Sequence, residues 1–482
     1  MTTILRAPKR VPTSSARLRQ VVIISVICLA LYCFLLVPDH SLDSSRSTII
    51  DTFPHSHPHH PSNPNSNSNT NTNPKSSPAW MPKHPPSLLN NRLLSTSQCL
   101  SAFPGLTHEI DTQVSKGPFP LPRRPHDLGP LVARIRNNQL SILSYARKSD
   151  LSSEMLQHRS ATLHQIAAAL LTAPPDEPLP DTVFAVNHED DPISPSLSYA
   201  RPADPAFDGG GKRYFAMPHF SQYAWALANV VSLPHASGAI RAVEARLPWP
   251  AKLPRAVWRG TTWFNHPRAG RLRHDLVASA RDKPWADVEA LHANGSNALP
   301  IWDFCRYRYI VHTEGVTYSG RFQYHQLCGS VVLTPPIAWM QHLTHLAKPV
   351  FSSSLPGVSR APPGTTSHAA KLAPYPAPWV KAAWPQSHDP AQDANIVFVA
   401  PDWSDLESTI GWLERHPRVA EGIARRQREL FDGGGYFSPA AETCYWRALI
   451  RGWSRVVRVD EKAFDDLEGI PWEEFSLKEI HK

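Results

Sequence analysis

The chain has 482 residues and a net charge of +8, from 49 Lys and Arg against 41 Asp and Glu, enough length for two or three domains of about 100–200 residues each. Five cations, Arg6, Lys9, Arg10, Arg17 and Arg19, stand in the first twenty positions without an acid. The excess charge is therefore largely N-terminal. The folded part shows no clustered basic stripe of the kind a nucleic-acid partner requires.

Residues 1–20 read as a cytoplasmic tail. Residues 21–37, VVIISVICLALYCFLLV, form an unbroken apolar run, about 25 Å long as a helix. Cations precede it and Asp39 and Asp43 follow it, so a type II signal anchor is expected, with the rest of the chain lumenal. A cleaved signal peptide is the rival reading, but no small-x-small site follows the run. Residues 38–95 are rich in Pro, Ser, Asn and His. They bury too little apolar surface to offset ordering entropy and are expected to be a disordered stem.

From residue 96 the composition is globular. Residues 129–148, GPLVARIRNNQLSILSYARK, and 155–173, MLQHRSATLHQIAAALLTA, have the apolar spacing of amphipathic helices. Asp181 to Pro192, DTVFAVNHEDDP, is a short strand running into three acids. Leu253 to Phe264, LPRAVWRGTTWF, is a strand running into a glycine. Residues 394–417 repeat strand, turn and helix, with Ser404 and Glu407 spaced as a capping box. Strands alternating with helices predict an α/β fold with two parallel sheets.

In a parallel sheet, ligands sit beyond the carboxyl ends of the strands. Two such ends carry glycine and arginine. Tyr307 to Thr313 predicts a strand, and Glu314 to Tyr318 the turn beyond it, with Gly315 permitting a close backbone approach. Ser319 is placed to cap a helix over 320–327, which Gly329 closes. Arg321 then falls in the first helical turn, where the helix dipole disfavours a cation. An anion such as a diphosphate resolves that conflict; an ion pair with Glu314 or a solvated side chain is the alternative. Arg259, Gly260 and Thr261 form the second strand end, followed by Arg268 and Arg271. The acids Glu189, Asp190 and Asp191 admit three readings: a general base, a metal cluster or a solvated turn.

Cys28 and Cys33 lie in the anchor, leaving Cys99, Cys305, Cys328 and Cys444. An even number in an oxidising compartment predicts two disulfides. Cys305 before a strand and Cys328 at the end of its crossover helix reach the same sheet edge, a geometry that fits a bridge. Asn294-Gly295-Ser296 is a glycosylation sequon suited to a lumenal loop.

The ordered set NHEDDP, MPHFSQYAW, PWPAKLPRAVWRGTT, YRYIVHTEGVTYSGRFQYHQLCGSVVL and ETCYWRAL resembles glycosyltransferase family 90, in particular its fungal branch, over residues 96–456. The resemblance implies a GT-B-like architecture of two Rossmann-like lobes with a cleft between them. It implies an acceptor-binding lobe over 96–250, a nucleotide-sugar-binding lobe over 251–445, and C-terminal helices over 446–482 crossing back. The implied activity is transfer of xylose or glucose from a UDP-sugar to an acceptor hydroxyl, with inversion; with arginines on the diphosphate no metal cofactor is expected, and the short anchor suits the Golgi or endoplasmic reticulum. Asp190 matches the family's base. Gly315, Val316, Thr317, Tyr318, Ser319, Gly320 and Arg321 match the loop that holds the nucleotide, as do Arg259, Gly260 and Thr261. One downstream arginine is also expected to touch it, Arg268 or Arg271. The family's cysteines match Cys305 with Cys328, and Cys444 with an expected partner in Cys99. A polysaccharide, glycolipid or glycoprotein acceptor remains open. The rivals are a metal-dependent transferase using Glu189, Asp190 and Asp191, and a non-catalytic, membrane-tethered glycan-binding protein.

Overall fold

A computed structural model describes residues 83–123, 129–208, 211–360, 374–384, 389–464 and 467–480. The predicted tail, the predicted anchor and most of the predicted stem lie outside these residues. Among the described residues no helix is long and apolar enough to cross a membrane.

Packing begins before residue 96, earlier than the predicted stem boundary. The Lys83 amide donates to the Gly433 carbonyl, Leu94 is buried, and Ser95 with Gln98 forms a capping box on the Thr96–Ala102 helix. Leu88, Leu89 and Leu94 supply the apolar contact that the polar stretch before them lacks.

The first sheet contains β1 (Leu131–Arg136), β2 (Gln139–Ser144), β3 (Thr182–Val186), β4 (Ser196–Ser198) and β5 (Tyr214–Ala216). Its order is Ile470–Pro471, β2, β1, β3, β4, β5. The β2–β1 and β1–β3 pairs are antiparallel, and the β3–β4 and β4–β5 pairs are parallel. The sheet is thus mixed, not parallel as expected. The cause is residues 129–148, which form a β-hairpin instead of a helix. Asn137 and Asn138 both take positive φ, 51° and 59°, the backbone a two-residue hairpin turn requires. Leu131, Ala133 and Ile135 alternate inward along β1. The second predicted helix is present as Ser153–Leu171, capped by Ser152.

The second sheet is wholly parallel: β6 (Leu253–Gly260), β7 (Ala286–Ala290), β8 (Tyr307–Val311), β9 (Val331–Thr334), β10 (Pro349–Phe351) and β11 (Ile396–Phe398), in the order β10, β11, β9, β8, β6, β7. The chain leaves β6 for β7 on one side and returns to β8 on the other, so the crevice between the ends of β6 and β8 is a topological switch point. The interiors of β8 and β9 are buried on both faces, as a helix-covered parallel sheet demands. The predicted capping box at Ser404 is not formed. The helix starts at Leu406 with Asp405 as N-cap, Ser404 donates to Asp402, and Glu407 pairs with Lys283.

Both disulfides are formed. Cys305–Cys328 has a Cα separation of 5.1 Å. Beside it the Lys252 ammonium donates to the Glu244 carboxylate and to the Cys305 carbonyl, both at 2.6 Å, so the β8 loop unit is fastened at its base. Cys99–Cys444 joins the Thr96–Ala102 helix to the Pro439–Val456 helix. That long helix lies on the first sheet's side of the molecule: the Trp446 indole donates to Gln165 and the Trp453 indole to the Val183 carbonyl.

Candidate active site

A cleft of about 650 Å³ is lined from both sheets. One wall comes from the Ser153–Leu171 helix and the turn after β3, with Glu154, His158, His188, Glu189, Asp190 and Asp191. The other comes from the ends of β6 and β8, with Gly260, Thr261, Arg273, Gly315 and Arg321.

The acidic turn is shaped by Asn187. Its amide nitrogen donates to the Asp191 carbonyl at 2.7 Å, and its amide oxygen accepts the Glu189 N–H at 3.3 Å. This wraps the chain so that Asp190 opens to the cleft. Asp190 is exposed to the cleft, but the cleft walls around it displace part of its water; this, then the neighbouring Glu154 and Asp191 carboxylates, push its carboxyl up to about 6, against an opposing effect of the Tyr318 hydroxyl. The Tyr318 hydroxyl lies 3.4 Å from Asp190 Oδ1, and Thr317 Oγ1 donates to the Asp190 carbonyl at 2.9 Å. The loop after β8 therefore holds the acid in place across the cleft. Glu189 is also raised, by burial and then by Asp191 and Asp190. Glu189, Asp190 and Asp191 do not bring ligand atoms together. Among the described residues only Glu244, Cys305 and Cys328 do so, and both cysteines are in a disulfide.

Glycines let the second wall come close. A Cβ on Gly315 would sit 3.3 Å from the Tyr318 carbonyl, on Gly320 2.6 Å from the His219 ring, and on Gly260 2.7 Å from Trp258. The predicted helix after the loop is a single turn, Phe322–His325, with Arg321 at its N-cap and no bond from the Ser319 side chain. The helix-dipole argument for an anion therefore fails, and the guanidinium carries the positive charge. Arg321 Nη1 donates to the Arg259 carbonyl at 2.5 Å. Glu314 does not pair with it, because both Glu314 oxygens accept backbone N–H groups, from Ala338 and Trp339. Among the described residues no carboxylate pairs with Arg321.

Three expected contacts are redrawn. The Arg259 guanidinium turns away from the site into an ion pair with Asp287 at 2.5 Å and bonds to the Asn297 and Asp287 carbonyls. Only its backbone meets Arg321. Thr317 is fully buried and spent on Asp190. Arg271 is exposed beside His274 and does not line the cleft; the Arg268 side chain lies outside what the structure describes. Among the described residues, the downstream arginine that reaches the site is Arg273, which sequence reading missed. It lies on the Leu272–Ala280 helix and donates to the Glu314 and Thr261 carbonyls at 3.0 and 3.2 Å. Burial, then Arg321, lower it to about 9, and burial lowers Arg321 to about 10. Both remain charged at neutral pH. The available signal was helical: Arg273 falls four residues before Val277 and three before Leu276, on the side of the helix that packs inward. Val316, Tyr318, Ser319 and Gly320 line the cleft as expected. Asn294 is exposed in its loop.

The arrangement is one raised carboxyl facing two guanidiniums that, among the described residues, have no acid of their own, which suits anion binding and proton removal. Residues 143–352 match the family model described as Glycosyl transferase family 90. An O-glucosyltransferase rumi homolog of Anopheles gambiae is 23% identical over 222 residues, 45% of each chain. Protein O-glucosyltransferase 1 of Mus musculus is 21% identical over 224 residues, 44% of each chain, and that of Homo sapiens 20% over 239 residues, 46% of this chain and 48% of the human one. The matches span less than half the length of these relatives.

Proposed function

We propose that the protein is a UDP-sugar-dependent glycosyltransferase with a GT-B-like arrangement, moving a glucose or xylose unit to an acceptor hydroxyl with inversion. The observation that carries this reading is Asp190 facing Arg273 and Arg321 across one cleft, with the loop after β8 touching both sides. In this scheme the diphosphate lies against Arg273, Arg321, Thr261 and the Gly315–Gly320 backbone. Asp190 takes the proton from the acceptor hydroxyl as it attacks the anomeric carbon. The bond to the diphosphate oxygen breaks, and the leaving charge is taken up by the two guanidiniums, a preorganised electrostatic term. In this scheme the two guanidiniums supply the positive charge, and no metal cofactor is invoked. The names of the relatives favour glucose; one hydroxymethyl group separates it from xylose.

The predicted anchor, the stem and the Asn294 sequon support a type II protein of the Golgi or endoplasmic reticulum membrane, acting in the lumen on a polysaccharide, glycolipid or glycoprotein. The test is calorimetric titration of the full-length protein with UDP in the presence of EDTA, followed by hydrolysis of UDP-glucose and UDP-xylose. UDP binding and slow hydrolysis are expected. Failure to bind UDP, or hydrolysis that appears only with added manganese, overturns the reading.

A further inference from the structure

Two imidazoles on the acid wall have no part in the scheme above. His188 lies two residues before Asp190, lines the cleft and is 2% exposed. Neither of its ring nitrogens has a hydrogen-bond partner among the described residues. His158, stacked on Phe220 at 3.6 Å, also lines the cleft, with Nε2 unbonded; Glu154 at 3.9 Å is beyond hydrogen-bond distance. A buried polar group without a partner is costly, so the two rings ask for a polar occupant.

The chemistry of that occupant is constrained. Burial pushes both imidazoles down to about 4, with Arg159 and His158 adding to the shift at His188. Near neutrality each ring is uncharged and offers one donor and one acceptor. Glu154, Glu189, Asp190 and Asp191 share the wall, so a carboxylate there would be repelled. Hydroxyl groups satisfy both demands. Asp190 is exposed at the cleft while His188 is buried, so the acceptor meets Asp190 from outside and His188 is reached only by what already lies within. That is the sugar carried on the diphosphate.

We propose that His188, assisted by His158, hydrogen-bonds the hydroxyls of the sugar being transferred and restricts the donor to uncharged sugars. This rests on the nucleotide-sugar reading above.

The test compares dissociation constants of UDP and of UDP-sugars by calorimetry, using full-length protein in an Asp190→Asn background so that the donor is not consumed. With His188→Leu, UDP affinity should stay within about twofold. UDP-glucose or UDP-xylose should weaken about tenfold, the loss of one or two neutral hydrogen bonds. His188→Asn, which keeps a donor and an acceptor, should recover part of that loss, and His158→Leu should show a smaller one. UDP-glucuronate should bind more weakly than UDP-glucose. Unchanged UDP-sugar affinity in His188→Leu would mean the ring meets only water and would overturn the inference, as would equal binding of UDP-glucuronate. An unchanged UDP affinity in the variants shows that they fold. A parent protein that does not bind UDP sinks the underlying reading itself, a result distinct from either.

Discussion

The two walls of the cleft hold charge in opposite ways. On the second-sheet wall, Arg273 and Arg321 are anchored by backbone carbonyls. These orient a guanidinium without cancelling its charge. On the first-sheet wall, Asp190 is held by one distant hydroxyl and by one bond to its backbone carbonyl, among other acids. Arg259 shows what happens otherwise: two residues from Thr261, it is neutralised by Asp287 and becomes structural. Function in this cleft follows the identity of the partner more than proximity to it.

The largest effect separating the walls is expected at the acid. Asp190→Asn should lower transfer by about 10²–10⁴, the usual worth of a positioned base, with UDP affinity unchanged in a binding titration. A variant that still turns over at the parent rate would move the base elsewhere on that wall. Arg321→Ala and Arg273→Ala should each weaken UDP binding by about 10–100-fold, one charge-assisted hydrogen bond apiece, and lower transfer with it. Arg271→Ala should leave both as they are. Arg259→Ala should instead lower the thermal midpoint, because Asp287 and the Asn297 carbonyl lose a partner, at about 1–3 kcal/mol. If Arg259→Ala removes UDP affinity while the fold keeps its stability, the distinction between neutralised and charged arginines breaks. A smaller change is expected for Gly320→Ala. The added methyl would lie 2.6 Å from the His219 ring, and the ring or the loop must shift. The displacement should reach Arg321 next to it and cost a few-fold in UDP affinity.

Much of this was legible in the sequence, and the gaps have physical causes. β3, β6, β8 and β11 are short apolar runs ending in glycine, acid or proline, and each stands where those signals place it. The hairpin over 131–144 was misread because Leu, Ile and Ala at its inward positions also fit a helical stripe; the Asn137-Asn138 turn was the deciding signal. Arg321 was identified with its loop, but for a helix-terminus reason that a one-turn helix does not supply. Arg273 was missed because nothing local marks it. Its role comes from where the Leu272–Ala280 helix docks, and that is a tertiary fact. The orientation of Arg259 was equally hidden, since Asp287 lies 28 residues away on the neighbouring strand.

The smallest effect is the most diagnostic of the acid wall. A base works when deprotonated, so with Asp190 pushed up to about 6, transfer at saturating donor should rise with pH through about 6 and level above it. After burial, Glu154 is the leading cause of that shift. Glu154→Gln removes a like charge, which lets Asp190 ionise more easily, so the acid limb should move to lower pH. The variant should then outpace the parent below pH 6 and match it, or fall slightly behind as a weaker base, above pH 7. Glu154 is 69% exposed, so its field is partly screened by water. Raising salt from about 0.05 to 0.5 M shortens the screening length and should shrink the difference between variant and parent. A difference that persists unchanged in high salt would show that Glu154 acts on Asp190 by contact or by reshaping the turn, and not through its charge.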